Sequence, residues 1–144
     1  MIQNETAVDR FFASFQHASG ADDIPSMVSH FSETFLAAGA QGTQCVRSAE
    51  FAMALPKRKE LFARLGAKPA TLVSLQHSPL DGRYALARAT WRFEFQAAGD
   101  VEKNEVLVDS TYLIDTGTPE PKIVLYLSHQ DIMQILRDRG ILKN

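Results

Sequence analysis

The chain has one cysteine, Cys45, which excludes an internal disulfide framework and a cysteine-rich metal site. Its apolar runs stay well short of the roughly 20 residues a membrane-spanning helix needs. The first ten residues, MIQNETAVDR, are polar and acidic and do not read as a signal peptide, so the cytoplasm is the expected compartment. Charge of one sign is also missing. Fifteen Lys and Arg stand against 17 Asp and Glu, a net charge of −2 with the signs interspersed, and nucleic acid is not an expected partner. The densest basic run, Lys57-Arg58-Lys59, is followed by Glu60 and reads as a solvated helix face. There is no phosphate-cradling glycine loop, no nucleophile elbow and no HExxH. Nucleotide-dependent, covalent and zinc-hydrolytic chemistry is therefore disfavoured, and neither a metal nor a cofactor is expected.

What is present fits one globular domain spanning 1–144, with 45% apolar and 22% charged residues. A chain of this length buries roughly two thirds of its unfolded surface and needs no staple to fold. Helix signals fill the first half and strand signals most of the second, which predicts an α+β fold rather than alternating βαβ units.

The first helix is predicted to start near Asn4 to Thr6, where Thr6 and Asp9 have capping-box spacing, and to end at Ser19-Gly20. Val8, Phe11, Phe12 and Phe15 put an aromatic stripe on one face of it. Asp22-Asp23-Ile24-Pro25 restarts a helix, with acids at its positive end and proline in the first turn. Ile24, Met27, Val28 and Phe31 keep helical spacing. Ser32–Ala38 suits either an extension of that helix or a short strand, and the strand is preferred. Gly39 and Gly42 mark a loop. Ser48–Leu55 and Lys57–Gly66 read as two helices broken at Pro56.

Ala70–Ser78 reads as a strand and Pro79-Leu80-Asp81-Gly82 as its turn. From Tyr84 strict alternation begins. Ala85, Ala87, Ala89, Trp91, Phe93 and Phe95 share one face, and Arg88 and Arg92 lie on the other. After a turn at Gly99-Asp100 the return strand places Val106, Val108, Ser110, Tyr112 and Ile114 together. A one-residue slip would flip every side chain, so matching the apolar faces puts Asp109 on the arginine face, within salt-bridge reach of Arg88 or Arg92. Lys122–Ser128 is apolar on both faces, as a central strand covered on both sides would be. Ser128 is the expected cap of a last helix carrying Ile132, Ile135 and Leu136, with Arg137 and Arg139 in its final turn and Gly140 at its end.

This order of elements, the strands around Trp91 and Val108-Asp109-Ser110-Thr111-Tyr112, and the ending Tyr126-LSHQDIMQILRDRG resemble the nuclear transport factor 2-like superfamily. The resemblance extends to the SnoaL-like cyclases and ketosteroid isomerase. It implies a curved, mostly antiparallel sheet wrapped around N-terminal helices, the cystatin-like cone, with a C-terminal helix. It also implies an apolar pocket in the cone and a homodimer joined through the sheet.

Asp131 occupies a position similar to the acid/base aspartate of those cyclases, and an acid in a first helical turn is equally what the helix dipole favours. The chain carries Asp138-Arg139-Gly140 where the cyclases have Gln-Leu-Gly. Asp109 is similar in placement to a strand aspartic acid of ketosteroid isomerase that polarises a carbonyl, and it also suits a structural ion pair. His129 could act beside either as a hydrogen-bond donor. Trp91, Tyr112, Tyr126, His77 and Phe15 are the candidate pocket residues, with core packing as the alternative reading. Cys45 reads as inert, and His17 and His30 carry little functional weight. Two functions remain open. One is a domain that holds a small apolar molecule or assembles without catalysis. The other is a cofactor-independent isomerase, dehydratase or cyclase that moves protons on a carbonyl compound.

Overall fold

The computed structural model describes residues 6–21, 23–96, 99 and 104–142. Helix α1 spans Ala7–Gly20 and α2 spans Ile24–Ser29, followed by strands β1 (Phe31–Gly39) and β2 (Gly42–Arg47). Helix α3 (Ser48–Arg64) leads to β3 (Thr71–Pro79), β4 (Tyr84–Phe95), β5 (Asn104–Asp115), β6 (Lys122–Ser128) and α4 (Ile132–Asp138). The fold is α+β. Its curved sheet runs β2-β1-β6-β5-β4-β3, and every pairing is antiparallel except β1 with β6. β6 is central, as its apolar sequence predicts, but only Ile123 of it is buried and the rest is half-buried, because among the described residues one sheet face carries no helix.

Local chemistry sets the helix ends. The Thr6 hydroxyl accepts from Asp9 N–H, and the Asp9 carboxylate accepts from Thr6 N–H, both at 3.1 Å, so the expected capping box forms with Asp in the place of Glu. Asp23 caps α2, accepting from Ser26 N–H at 3.1 Å, with Pro25 in the first turn. Asn4, Asp22 and Asp100, named above at a helix start, a helix start and a turn, lie outside the described residues.

Four expectations are corrected. The segment after Gly39 is not a loop. Gly42, at φ 107°, turns the chain straight back into β2, a six-residue edge strand whose exposed polar side chains gave no alternation to read. The helix pair is one helix. Pro56 lies inside α3 on its exposed side, and Leu55 and Phe62 anchor the two halves to the core. Ser128 does not cap α4. Its hydroxyl donates to the Gln130 carbonyl at 2.8 Å, and Asp131 is the cap, accepting from Gln134 N–H at 3.3 Å. Phe31, read as a helical position, opens β1 instead, and Ser32–Ala38 is strand.

All four helices lie on one side of the sheet. Phe11, Phe12 and Phe15 of α1 pack with Phe31, Phe35, Ala87, Trp91, Tyr112 and Ile123. Phe62 of α3 and Ile132 and Leu136 of α4 pack with Phe95, Val106 and Val108. The β4–β5 register pairs Trp91 with Val108 and Thr90 with Asp109, so the two faces separate as the alternation requires.

Candidate functional site

The inner face gathers most of the predicted pocket residues. Trp91 Nε1–H donates to the Tyr112 hydroxyl at 3.0 Å. Phe15 meets Trp91 edge-on at 6.0 Å between ring centres, and Tyr126 lies 5.4 Å from Tyr112. Phe15, Trp91, Tyr112 and Tyr126 therefore form one aromatic chain across α1, β4, β5 and β6. Burial pushes the Tyr112 phenol well above its ordinary range, with the neighbouring Tyr126 adding, so it keeps its proton at any physiological pH. It works as a hydrogen-bonding group and not as a base. His77 lies on the same face of β3 but at its far end, where Nε2 stands 2.9 Å from an Asp9 carboxylate oxygen and ties the start of α1 to the edge strand. The two hydrogen bonds from Thr6 hold Asp9 below the usual carboxylate range, and the His77 contact adds to them.

The acid/base candidates lie elsewhere. Asp109 is on the outer face, where it accepts from the Thr90 hydroxyl at 2.6 Å, Gln130 Nε2 at 3.3 Å and the Arg88 guanidinium at 3.5 Å. Its backbone N–H donates to Gln130 Oε1 at 2.6 Å. The expected arginine pair is thus present, with Arg88. The hydroxyl of Thr90, then Gln130, then Arg88 hold the Asp109 carboxyl below its ordinary value, so it stays ionised. His129 is beside it. Its Nε2 is 2.6 Å from the Thr111 hydroxyl and its N–H donates to the Asp109 carbonyl at 3.0 Å. Asp131 caps α4 at the end of the sheet, within 3.5 Å of Gln41 Nε2 at the tip of the β1–β2 hairpin.

The structure brings Asp109 and His129 together, and it brings four of the five pocket residues together. The sheet stands between the two groups. Among the described residues no hydrogen bond or ring contact joins Asp109, His129 or Asp131 to Trp91, Tyr112 or Tyr126, so no carboxylate and phenol converge there on one reacting atom. Gln130 and Thr90, the partners that fix Asp109, were missed because an amide and a hydroxyl carry no sequence signal of their own. The inner face is filled by side chains: Phe12 is 0% exposed, Tyr112 3% and Trp91 6%. Two shallow surface depressions lie away from it. One runs along α1 and the chain entering β3, beside Gln16, His17 and Thr71. The other lies between α1, α2 and residues 119–121, beside Ser14, Ser26 and His30. Among the described residues no group of three or more His, Cys, Asp or Glu is placed to hold a metal, and no helix is long and apolar enough to cross a membrane.

No protein-family model and no curated protein sequence matches this chain. Solved structures do. A nuclear transport factor 2-like protein with a cystatin-like fold from Novosphingobium aromaticivorans superposes with a TM-score of 0.71 at 13% identity, over 96% of this chain and 88% of that one. The chain has the nuclear transport factor 2-like fold. A cystatin-like protein of unknown function from Nostoc punctiforme matches 90% of this chain and 96% of its own, with a TM-score of 0.66 and 13% identity. The β subunit of benzoate 1,2-dioxygenase from Burkholderia mallei matches 93% and 96%, with a TM-score of 0.66 and 10% identity. At these identities the likeness establishes the nuclear transport factor 2-like architecture, and activity has to be argued from the side chains.

Proposed function

We propose that this chain is an assembly module that works as a homodimer, joined through the outer face of its sheet, and that the interior of the cone performs no proton-transfer chemistry. The observation that carries the reading is a row of four leucines. Leu36 pairs with Leu125, Leu125 with Leu113, and Leu113 with Leu86, so one leucine from each of β1, β6, β5 and β4 stands in register on the face that no helix covers. Leu36 and Leu86 at the ends of the row are 41% and 40% exposed. Ala38, Leu127, Thr111 and Arg88 make the next row, and Asp109 follows. An apolar stripe with a polar margin is the anatomy of a protein interface. Such a stripe can meet its own copy face to face about a two-fold axis lying in the interface, parallel to the sheet, as an isologous dimer requires. Six strands spaced ~4.8 Å apart make a face about 24 Å wide, room for the roughly 800 Å² per partner of a standard interface.

Support from the other side of the sheet is negative for an enzyme. A proton-transfer site needs a carboxylate and a donor facing one cavity. Here Asp109 is held ionised in an arginine pair on the outer face and Asp131 is used as a helix cap. A second reading, a cone that takes up a small apolar molecule, draws support from Tyr126 and Phe51, which are half-buried against the inner cluster. Quenching or enhancement of Trp91 fluorescence by an apolar ligand, lost in Tyr126→Ala, would support it.

The test of the main reading is sedimentation of the purified chain across concentration. The wild type is expected to be dimeric at micromolar concentration, and Leu36→Asp with Leu86→Asp to be monomeric with unchanged far-ultraviolet circular dichroism. A monomeric wild type at about 100 µM, where an interface of this size would be populated, would reject it.

A further inference from the structure

We infer that Ser14 and His30 form a nucleophile–base pair in the cleft between α1 and α2, able to transfer the acyl group of a small carboxylic ester. The site is separate from the leucine face, and its success or failure says nothing about the dimer. His30 is 8% exposed, and its ring is fixed from both ends. Nδ1 lies 2.6 Å from the Ser26 carbonyl and Nε2 lies 3.0 Å from the Ser14 hydroxyl. Phe11 and Phe15 hold the ring plane, with centres at 5.0 and 5.3 Å.

The tautomer follows from the contacts. A carbonyl oxygen only accepts, so Nδ1 carries the proton, and in the neutral ring Nε2 is left as an acceptor. The Ser14 hydroxyl must then donate to Nε2. That is the arrangement of an activated serine: nucleophile to base, base to a third group that orients it, here a main-chain carbonyl. Burial holds the His30 imidazole below its ordinary 6.5, with Lys122 adding to this and the Ser26 carbonyl and Glu120 opposing it, so the ring is a free base at neutral pH.

Ser14 itself is exposed, on the wall of a shallow surface depression that Ala7, Phe11, Pro119 and Pro121 also line. Those walls suit a compact acyl group. Arg10, one helical turn before Ser14, lines the same cleft. In the first step Ser14 Oγ bonds to the ester carbonyl carbon and its proton passes to His30 Nε2. The carbon–alkoxide bond then breaks, and that proton leaves with the alcohol. Water, deprotonated by the same Nε2, bonds to the acyl carbon; the Oγ–acyl bond then breaks, the carboxylic acid leaves, and the proton on Nε2 returns to Ser14 Oγ. The sum is ester plus water to acid plus alcohol, with no redox partner.

A serine within α1 and a histidine 16 positions later form no sequence motif, so sequence alone assigns His30 little weight and Ser14 no role. The probe is p-nitrophenyl acetate with the full chain, read by p-nitrophenolate release and by mass mapping of the acetylated residue. Positioned general-base catalysis contributes about 10²–10⁴-fold, so Ser14→Ala, an exposed site that should leave the fold intact by circular dichroism, is expected to lower the rate above buffer at least about tenfold and to abolish the adduct. The wild-type rate should rise with pH through one ionisation below 6.5 and then level off. An unchanged rate in Ser14→Ala, acetylation at another residue, a rate that keeps climbing into alkali, or no hydrolysis above buffer would each overturn the assignment.

Discussion

Replacing Tyr112 by Phe removes one oxygen and leaves the shape of the core unchanged, so it isolates the polar link inside the aromatic chain. In the native protein Trp91 Nε1–H donates to that oxygen at 3.0 Å in a buried setting, and the Ser110 hydroxyl is its other partner. Tyr112 is 3% exposed and Ser110 1%, so water cannot replace what is lost. An unpaired buried donor costs about 1–3 kcal/mol. Ser110 can rotate its hydroxyl, so most of the loss falls on the indole, and the expected destabilisation is about 2 kcal/mol, a fall in Tm of ~4–8 °C for a domain of this size. Urea denaturation followed by circular dichroism measures it. Trp91→Phe and the double variant close a cycle in which the coupling should be about 1 kcal/mol. A Tyr112→Phe protein within about 0.5 kcal/mol of the wild type would show that the indole finds another partner and that the link is not structural.

Phe12→Ala, at a fully buried position packed against Tyr112 at 5.1 Å, is expected to cost about 3–5 kcal/mol by urea denaturation, because the ring has no route to be replaced by neighbours. Asp131→Ala should lower stability by about 1 kcal/mol through loss of the α4 cap, while Asp131→Asn should be nearly neutral; equal losses in both would point to its charge instead. The pH dependence of stability should carry the signature of His30. Its folded-state value is depressed, so the unfolded chain binds the proton more readily, and stability is full above about 6.5 and falls as pH drops below it. Denaturation midpoints of the wild type and His30→Asn between about pH 5 and 7.5 test this, the variant being expected to show the flatter slope.

Much of the architecture was legible because burial writes a period into the sequence. The alternation from Tyr84 to Phe95 and from Val106 to Ile114 sets the parity of the β4–β5 register, and with it the side on which Asp109 lies. The Val8, Phe11, Phe12, Phe15 stripe located α1 for the same reason. Where burial is weak the signal fails. β2 is exposed along most of its length and reads as loop. Pro56 sits on the solvent side of α3, where its effect is mild, and sequence rules treat it as a break. Ser128 and Asp131 both have cap chemistry, and only the backbone path decides between them. The candidate site was legible as residue types and not as an arrangement. Which carboxylate meets which donor depends on sheet faces and on partners such as Gln130 and Ser14 that are distant in the chain and ordinary in composition.

The join between β1 and β6 has a consequence for synthesis. β3 to β6 follow one another as antiparallel neighbours and β1 turns directly into β2, so each of these units forms from contacts close in sequence. The parallel seam is different. Leu36 meets Leu125, 89 positions later (125 − 36), so the two units are docked only by closing a long loop, a step that local contacts cannot pre-empt. A chain emerging from the ribosome therefore carries Leu36 on a strand paired with β2 on one edge and open on the other until β6 has been made. The row of leucines is completed at that moment and not before, which means that an unfinished chain has no finished face to offer another copy.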